Sequence, residues 1–97
     1  MPAYLVGQVR LRDPDLWRRY VAGVAESLAP YQAEVVFRGR RARDLAGEQT
    51  RKRVVVIRFV DMDELNRWHD SDAYQALVPL RDRAADVLIT AYETSES

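Results

Sequence analysis

The chain contains no cysteine. Disulfide staples, thiolate nucleophiles and Cys-based zinc sites are therefore excluded together, and the composition suits a reducing, cytoplasmic setting. Histidine is almost as scarce. His69 is the single one, so a metal site built on two histidines is excluded. No Gly-rich phosphate loop and no nucleophile elbow is present. Asp61, Asp63 and Glu64 could form an oxygen-only metal site, but helix N-capping already accounts for them. No metal and no cofactor is expected. Long apolar runs are missing too. None approaches the roughly 20 residues of a membrane span. The N-terminal apolar run has no basic segment before it and is broken by Gln8 and Arg10, unlike a signal peptide. No membrane partner is expected.

Net charge is also lacking, because fifteen basic and fifteen acidic side chains cancel. The broad positive field of nonspecific nucleic-acid binders is thereby excluded. All of the basic residues except Lys52 are arginines, which we read as the base composition of a GC-rich bacterial genome.

What is present is a pattern stated twice. Tyr4–Leu11 has strand character, Pro14–Leu28 helix character and Glu34–Arg38 strand character. Arg53–Val60, Met62–Leu80 and Val87–Tyr92 repeat the order. Two βαβ halves within 97 residues define an α+β, ferredoxin-like split βαβ fold (βαββαβ) with one four-stranded antiparallel sheet. Residues 1–97 are expected to form one domain, with a frayed polar tail at 93–97. With 47% hydrophobic residues, such a domain can bury a core without staples.

Local signals place the helices. Asp13 can accept the free N–H groups of a first turn, and Pro14 is tolerated at the first helical position. Leu16, Trp17, Tyr20, Val21, Val24 and Leu28 then recur at helical spacing, until Pro30 ends the run. Asp61 followed three positions later by Glu64 resembles a capping box. Asp70-Ser71-Asp72 and Pro79 predict that the second helix is broken and bent.

The strands carry two faces. Leu5, Gly7, Val9 and Leu11, then Val55, Ile57 and Phe59, then Val87, Ile89 and Ala91 are expected beneath the helices. The opposite face carries Val6, Val54, Val56 and Leu88, together with Arg10, Arg58, Val36 and Arg38. Soluble monomers rarely expose large apolar patches. Two helices cover one side of a sheet, so a second copy of the chain is expected on the other, making a homodimer.

The chain resembles the short bacterial proteins of a domain-of-unknown-function family in the dimeric α+β barrel superfamily. The resemblance rests on Met1-Pro2-Ala3-Tyr4-Leu5-Val6, Asp13-Pro14, Phe37-Arg38-Gly39, Leu45-Ala46-Gly47, the strand Arg53–Phe59 and, most specifically, Trp68-His69-Asp70-Ser71-Asp72-Ala73-Tyr74. His69 stands where that family usually has an aromatic, and Ala46 where it usually has Glu. The resemblance implies the fold and a homodimer, forming a dimeric α+β barrel, and implies no established activity. The homodimer is expected to bind a small hydrophobic or aromatic ligand in a pocket between sheet and helices. By analogy with the superfamily only, a cofactor-independent monooxygenase or isomerase acting on a phenol or enol is the alternative, and a non-catalytic assembly module the second alternative.

Candidate site residues follow. His69 titrates nearest neutrality and could act as a general base at a pocket mouth, or be a half-exposed helix residue covering the core edge. Arg38 is the candidate anion clamp, with Arg10 and Arg58 beside it on the same face in strict alternation. The other reading of these three is that they sit at strand ends and pair with acids of the partner subunit. Tyr31, Tyr74 and Trp68 are candidate ligand-binding aromatics, although aromatics at helical spacing usually belong to the core. The basic hairpin from Arg38 to Arg53 suggests an RNA-recognition motif, but its third strand reads Val54-Val55-Val56-Ile57 and offers bases no stacking platform. No nucleic-acid partner is expected.

Overall fold

The computed structural model describes residues Met1–Thr94. Strand β1 spans Ala3–Leu11 and helix α1 Pro14–Leu28. Strands β2 (Ala33–Arg40) and β3 (Arg53–Phe59) form a hairpin. Three short helices follow, α2 (Met62–His69), α3 (Asp72–Gln75) and α4 (Val78–Ala84), and strand β4 (Ala85–Glu93) ends the described chain. The sheet order is β2-β3-β1-β4, and every neighbouring pair is antiparallel. β1 and β2 flank β3, while β3 and β4 flank β1. The two βαβ units are thus interleaved, as the repeated pattern requires.

The helix starts arise from side-chain caps. The Asp13 carboxylate accepts the N–H groups of Asp15 and Leu16 at 3.0 and 3.2 Å. The Asp61 carboxylate accepts that of Glu64 at 2.8 Å. Ser71 restarts the second helical region, its Oγ accepting the Tyr74 N–H at 3.2 Å and donating to the Trp68 carbonyl at 2.6 Å. Each cap satisfies donors that a first turn leaves free. Pro79 sits in the first turn of α4, where its missing N–H costs nothing. The expected bent helix is therefore three helices.

The core lies between the helices and one sheet face. Ala3, Leu5, Val9, Ile57 and Phe59 from the sheet meet Tyr20, Val24 and Leu28 of α1, Leu65 and Trp68 of α2, and Tyr74 of α3. α1 also runs close to the α3–α4 link. A Cβ on Gly23 would stand 2.6 Å from Leu77 Cδ2, so glycine permits that approach. Trp68 fills the centre, its ring 4.3 Å from Tyr74 and 5.5 Å from Phe59 between centroids. Its indole N–H donates to Ser27 Oγ at 2.9 Å, and Ser27 donates onward to the Val24 carbonyl at 2.8 Å. Both buried polar groups are thereby satisfied.

Two sequence expectations are corrected. A β-bulge lies between Val35 and Phe37, so that Val35 opposes Ile57 and Phe37 opposes Val56. The extra residue, Val36, reverses the alternation beyond it. Arg38, expected on the open face, opposes Val55 and turns to the helix-covered face, and Phe37 takes the open one. The tail is the second correction. Glu93 belongs to β4, opposite Ala3, and Thr94 donates from its N–H to the Pro2 carbonyl at 3.1 Å. The remainder of the expected frayed tail, 95–97, lies outside the described residues. Ala91 opposes Leu5 on the helix-covered side, yet it is exposed because β4 is an edge strand.

Among the described residues no helix is long and apolar enough to cross a membrane.

Candidate functional site

The sheet and α1 do not close on each other along their whole length. A cavity of about 580 Å³ remains between them. Leu5, Val9, Val55 and Ile57 form its floor, and Trp17, Tyr20, Val21 and Val24 of α1 its roof. Trp68 closes the deep end. Arg38 and Arg40 of β2 and Arg53 of β3 line the end nearest the hairpin, with Arg18 of α1 beside them. Gly7 contributes floor without bulk, because a Cβ there would meet Val55 Cγ1 at 3.0 Å.

The arginines at the cavity end differ in how they are paired. Arg18 pairs with Asp15 on its own helix. Arg38, Arg40 and Arg53 make no ion pair among the described residues. Arg40 and Arg53 are direct cross-strand partners. Like charges facing each other across strands repel.

A second cavity of about 480 Å³ opens between β4 and α2. His69 and Arg81 line it, with Leu65, Ile89 and Ala91. His69 Nδ1 lies 3.3 Å from Asp70 Oδ1, and its ring stacks at a tilt 5.3 Å from Tyr74. Its side chain is 45% exposed. The two residues singled out as base and anion clamp, His69 and Arg38, therefore line different cavities and are not brought together.

A phenol network through buried Tyr20 and Tyr74 joins the linings of the two cavities. Tyr20 Oη and Tyr74 Oη are 3.0 Å apart, and Arg81 Nη1 donates to Tyr74 Oη at 3.1 Å. Burial, and then the neighbouring Tyr74, push the Tyr20 phenol well above its ordinary pKa. Burial works against the charge of Arg81, but its bonds to Tyr74 and Asp82 outweigh this and raise its pKa. The Tyr20 phenol therefore stays neutral at physiological pH, and the Arg81 guanidinium stays charged.

The other candidates fall as follows. Tyr74 is fully buried, and its hydroxyl is already partnered. Tyr31 is half-buried at the end of α1, and its hydroxyl donates to the Arg67 carbonyl at 3.4 Å. Arg58 opposes Tyr4 on the open sheet face. Arg10 lies at the end of that face and pairs with Asp86 at 3.4 Å; Arg51 shares this carboxylate at 3.1 Å. Sequence reasoning placed Arg40 and Arg53 only within a basic hairpin and Trp17 only on an apolar helix face. The run Val35-Val36-Phe37 breaks strict alternation, but Val54-Val55-Val56-Ile57 does so without a bulge, so only the pairing of β2 with β3 places the arginines.

Sheet order, antiparallel pairing and one-sided helices define a ferredoxin-like α+β fold. The chain belongs to the family described as Domain of unknown function (DUF1330), which matches residues 2–94. No curated protein matches it significantly. Among solved structures it is similar to a protein of unknown function from Rhodopseudomonas palustris, with 18% identity over 99% of this chain and 84% of that one and a TM-score of 0.80. It is similar to SnoaB, a cofactor-independent oxygenase from Streptomyces nogalater, with 11% identity, 99% and 95% coverage and a TM-score of 0.70. A dimeric ferredoxin-like protein of unknown function from Jannaschia sp. is similar as well, with 11% identity, 97% and 100% coverage and a TM-score of 0.68. At these identities the likeness shows a shared fold.

Proposed function

We propose that this protein binds a small hydrophobic or aromatic molecule in the cavity between α1 and the sheet, as a homodimer joined through the open sheet faces. The observation that carries the reading is the cavity itself. Its volume of about 580 Å³ lies within the range of small-molecule sites. Its walls are aliphatic and aromatic, with polar groups gathered at one end, which is the usual build of a ligand pocket.

The dimer rests on a separate observation. Phe37, Leu88 and Tyr92 are 50%, 49% and 55% exposed on the open face, beside Val6, Val54 and Val56. A patch of this kind needs a partner, and a similar structure is described as dimeric.

A cofactor-independent oxygenase or isomerase is the second reading, supported by the fold likeness to SnoaB. It ranks lower because His69 lines the other cavity, leaving the first without an imidazole base. A panel of hydroxylated and unsubstituted aromatics, followed by thermal shift and oxygen uptake, tests all readings. Ligand-dependent stabilisation without oxygen uptake supports binding, and oxygen uptake with no added cofactor supports the oxygenase. Neither response with any compound would sink both and leave an assembly module.

A further inference from the structure

We propose that the ligand of the α1–sheet cavity is an amphipathic carboxylate, whose apolar body lies between α1 and the sheet and whose carboxylate is held by Arg38, Arg40 and Arg53. The inference rests on the cavity being a ligand site and adds the chemical class of the ligand.

Arg38, Arg40 and Arg53 line one end of an otherwise apolar cavity. Arg38 and Arg40 share a strand face because they are two residues apart beyond the bulge, and Arg53 stands directly across from Arg40. This arrangement costs stability, because facing like charges repel. Among the described residues no acid pairs with them. Asp44 is taken by Arg41, Asp15 by Arg18, and Asp86 by Arg10 and Arg51. Strands β2 and β3 already pair along their length here, so the cluster is not needed to hold the hairpin together.

An anion placed between the three would cancel their repulsion. Guanidinium forks match a carboxylate in bidentate geometry. Phosphate matches such forks too, but lacks a backbone cradle here. The strands pair through their backbone here, and the chain has no Gly-rich loop to cradle phosphate with free N–H groups. The side chains from Val9 to Trp68 ask for an apolar body attached to that head. A free inorganic anion would leave the cavity unfilled, and a neutral hydrocarbon would leave the arginines uncompensated.

The test uses the full chain with 2-naphthoate and the neutral 2-naphthalenemethanol, by isothermal titration calorimetry at low and at moderate salt. The acid is expected to bind at least about tenfold more tightly, the effect of one charge-assisted hydrogen bond. R38Q, R40Q and R53Q are each expected to weaken the acid by roughly tenfold and leave the alcohol unchanged. R43Q removes the same charge from the hairpin away from the cavity and is expected to change neither. These arginines are exposed, so the variants should fold; circular dichroism checks this. Equal binding of acid and alcohol overturns the carboxylate assignment and leaves the cavity reading standing. Tighter binding of naphthyl phosphate than of naphthoate overturns the choice of head group. A loss on R43Q as large as on R40Q overturns the site and shows a general charge effect. Binding of none of the three compounds overturns the cavity reading itself, and this inference with it.

Discussion

Val56→Asp gives the sharpest test of the open sheet face. Val56 lies on a central stretch of β3, opposite Val6 on one side and Phe37 on the other. All three point away from the helices. In a monomer Val56 is only half-buried, so an aspartate there meets water and costs about 1 kcal/mol of strand propensity. In a two-fold dimer the same change is made twice, because an isologous interface uses the same patch from each copy. Each unpaired buried carboxylate costs on the order of 3 kcal/mol. Two of them amount to about 6 kcal/mol, a weakening of more than about ten-thousandfold. A dimer of nanomolar affinity would then be monomeric at micromolar protein. Light scattering measures the mass, and circular dichroism reports whether the sheet survives. The expected result is a dimer for the parent chain and a folded monomer for V56D. A parent chain of monomer mass, or a V56D dimer of unchanged affinity, would refute the argument.

Four further outcomes are expected. Tyr74→Phe removes the shared partner of Tyr20 Oη and Arg81 Nη1, and urea unfolding should show a loss of about 1–3 kcal/mol. Tyr20→Phe should cost less, because Tyr74 keeps Arg81. Raising the pH above the ordinary tyrosine value of 10.0 should destabilise the fold. The folded state holds the Tyr20 proton more tightly than the unfolded chain, so its contribution is complete below that pH. It is lost above it at about 1.4 kcal/mol per pH unit until the buried phenol ionises, and Tyr20→Phe should flatten the profile. His69→Gln should change stability by less than about 0.5 kcal/mol and leave binding in the α1–sheet cavity unaltered, because the ring is half-exposed and lines the other cavity. Calorimetry on the variant checks both parts.

The elements were legible in the sequence because their causes are local. Asp13-Pro14 starts α1 by capping, Ser71 restarts the second helical region, and both operate within four residues of chain. The period of Trp17, Tyr20, Val21 and Val24 is helical in any surroundings, and Leu5, Gly7 and Val9 share a face because a strand alternates. The repeat of strand, helix and strand then leaves few topologies open. The site was not legible in the same way. Arg38 moved to the helix-covered face because one extra residue at Val36 shifts the pairing with β3, and pairing is settled between strands rather than within one. Arg40 and Arg53 became neighbours through that same pairing, across twelve residues of hairpin. His69 and Arg38 were both plausible pocket residues, but only the packing of α1 and α2 on the sheet assigns them to separate cavities. Trp68 is next to His69 in sequence and faces the interior, because consecutive helix positions point about 100° apart and one of them must lie under the sheet. Local chemistry thus determined which segments are helix and strand, whereas the long-range contacts of the sheet decided which side chains meet around a cavity.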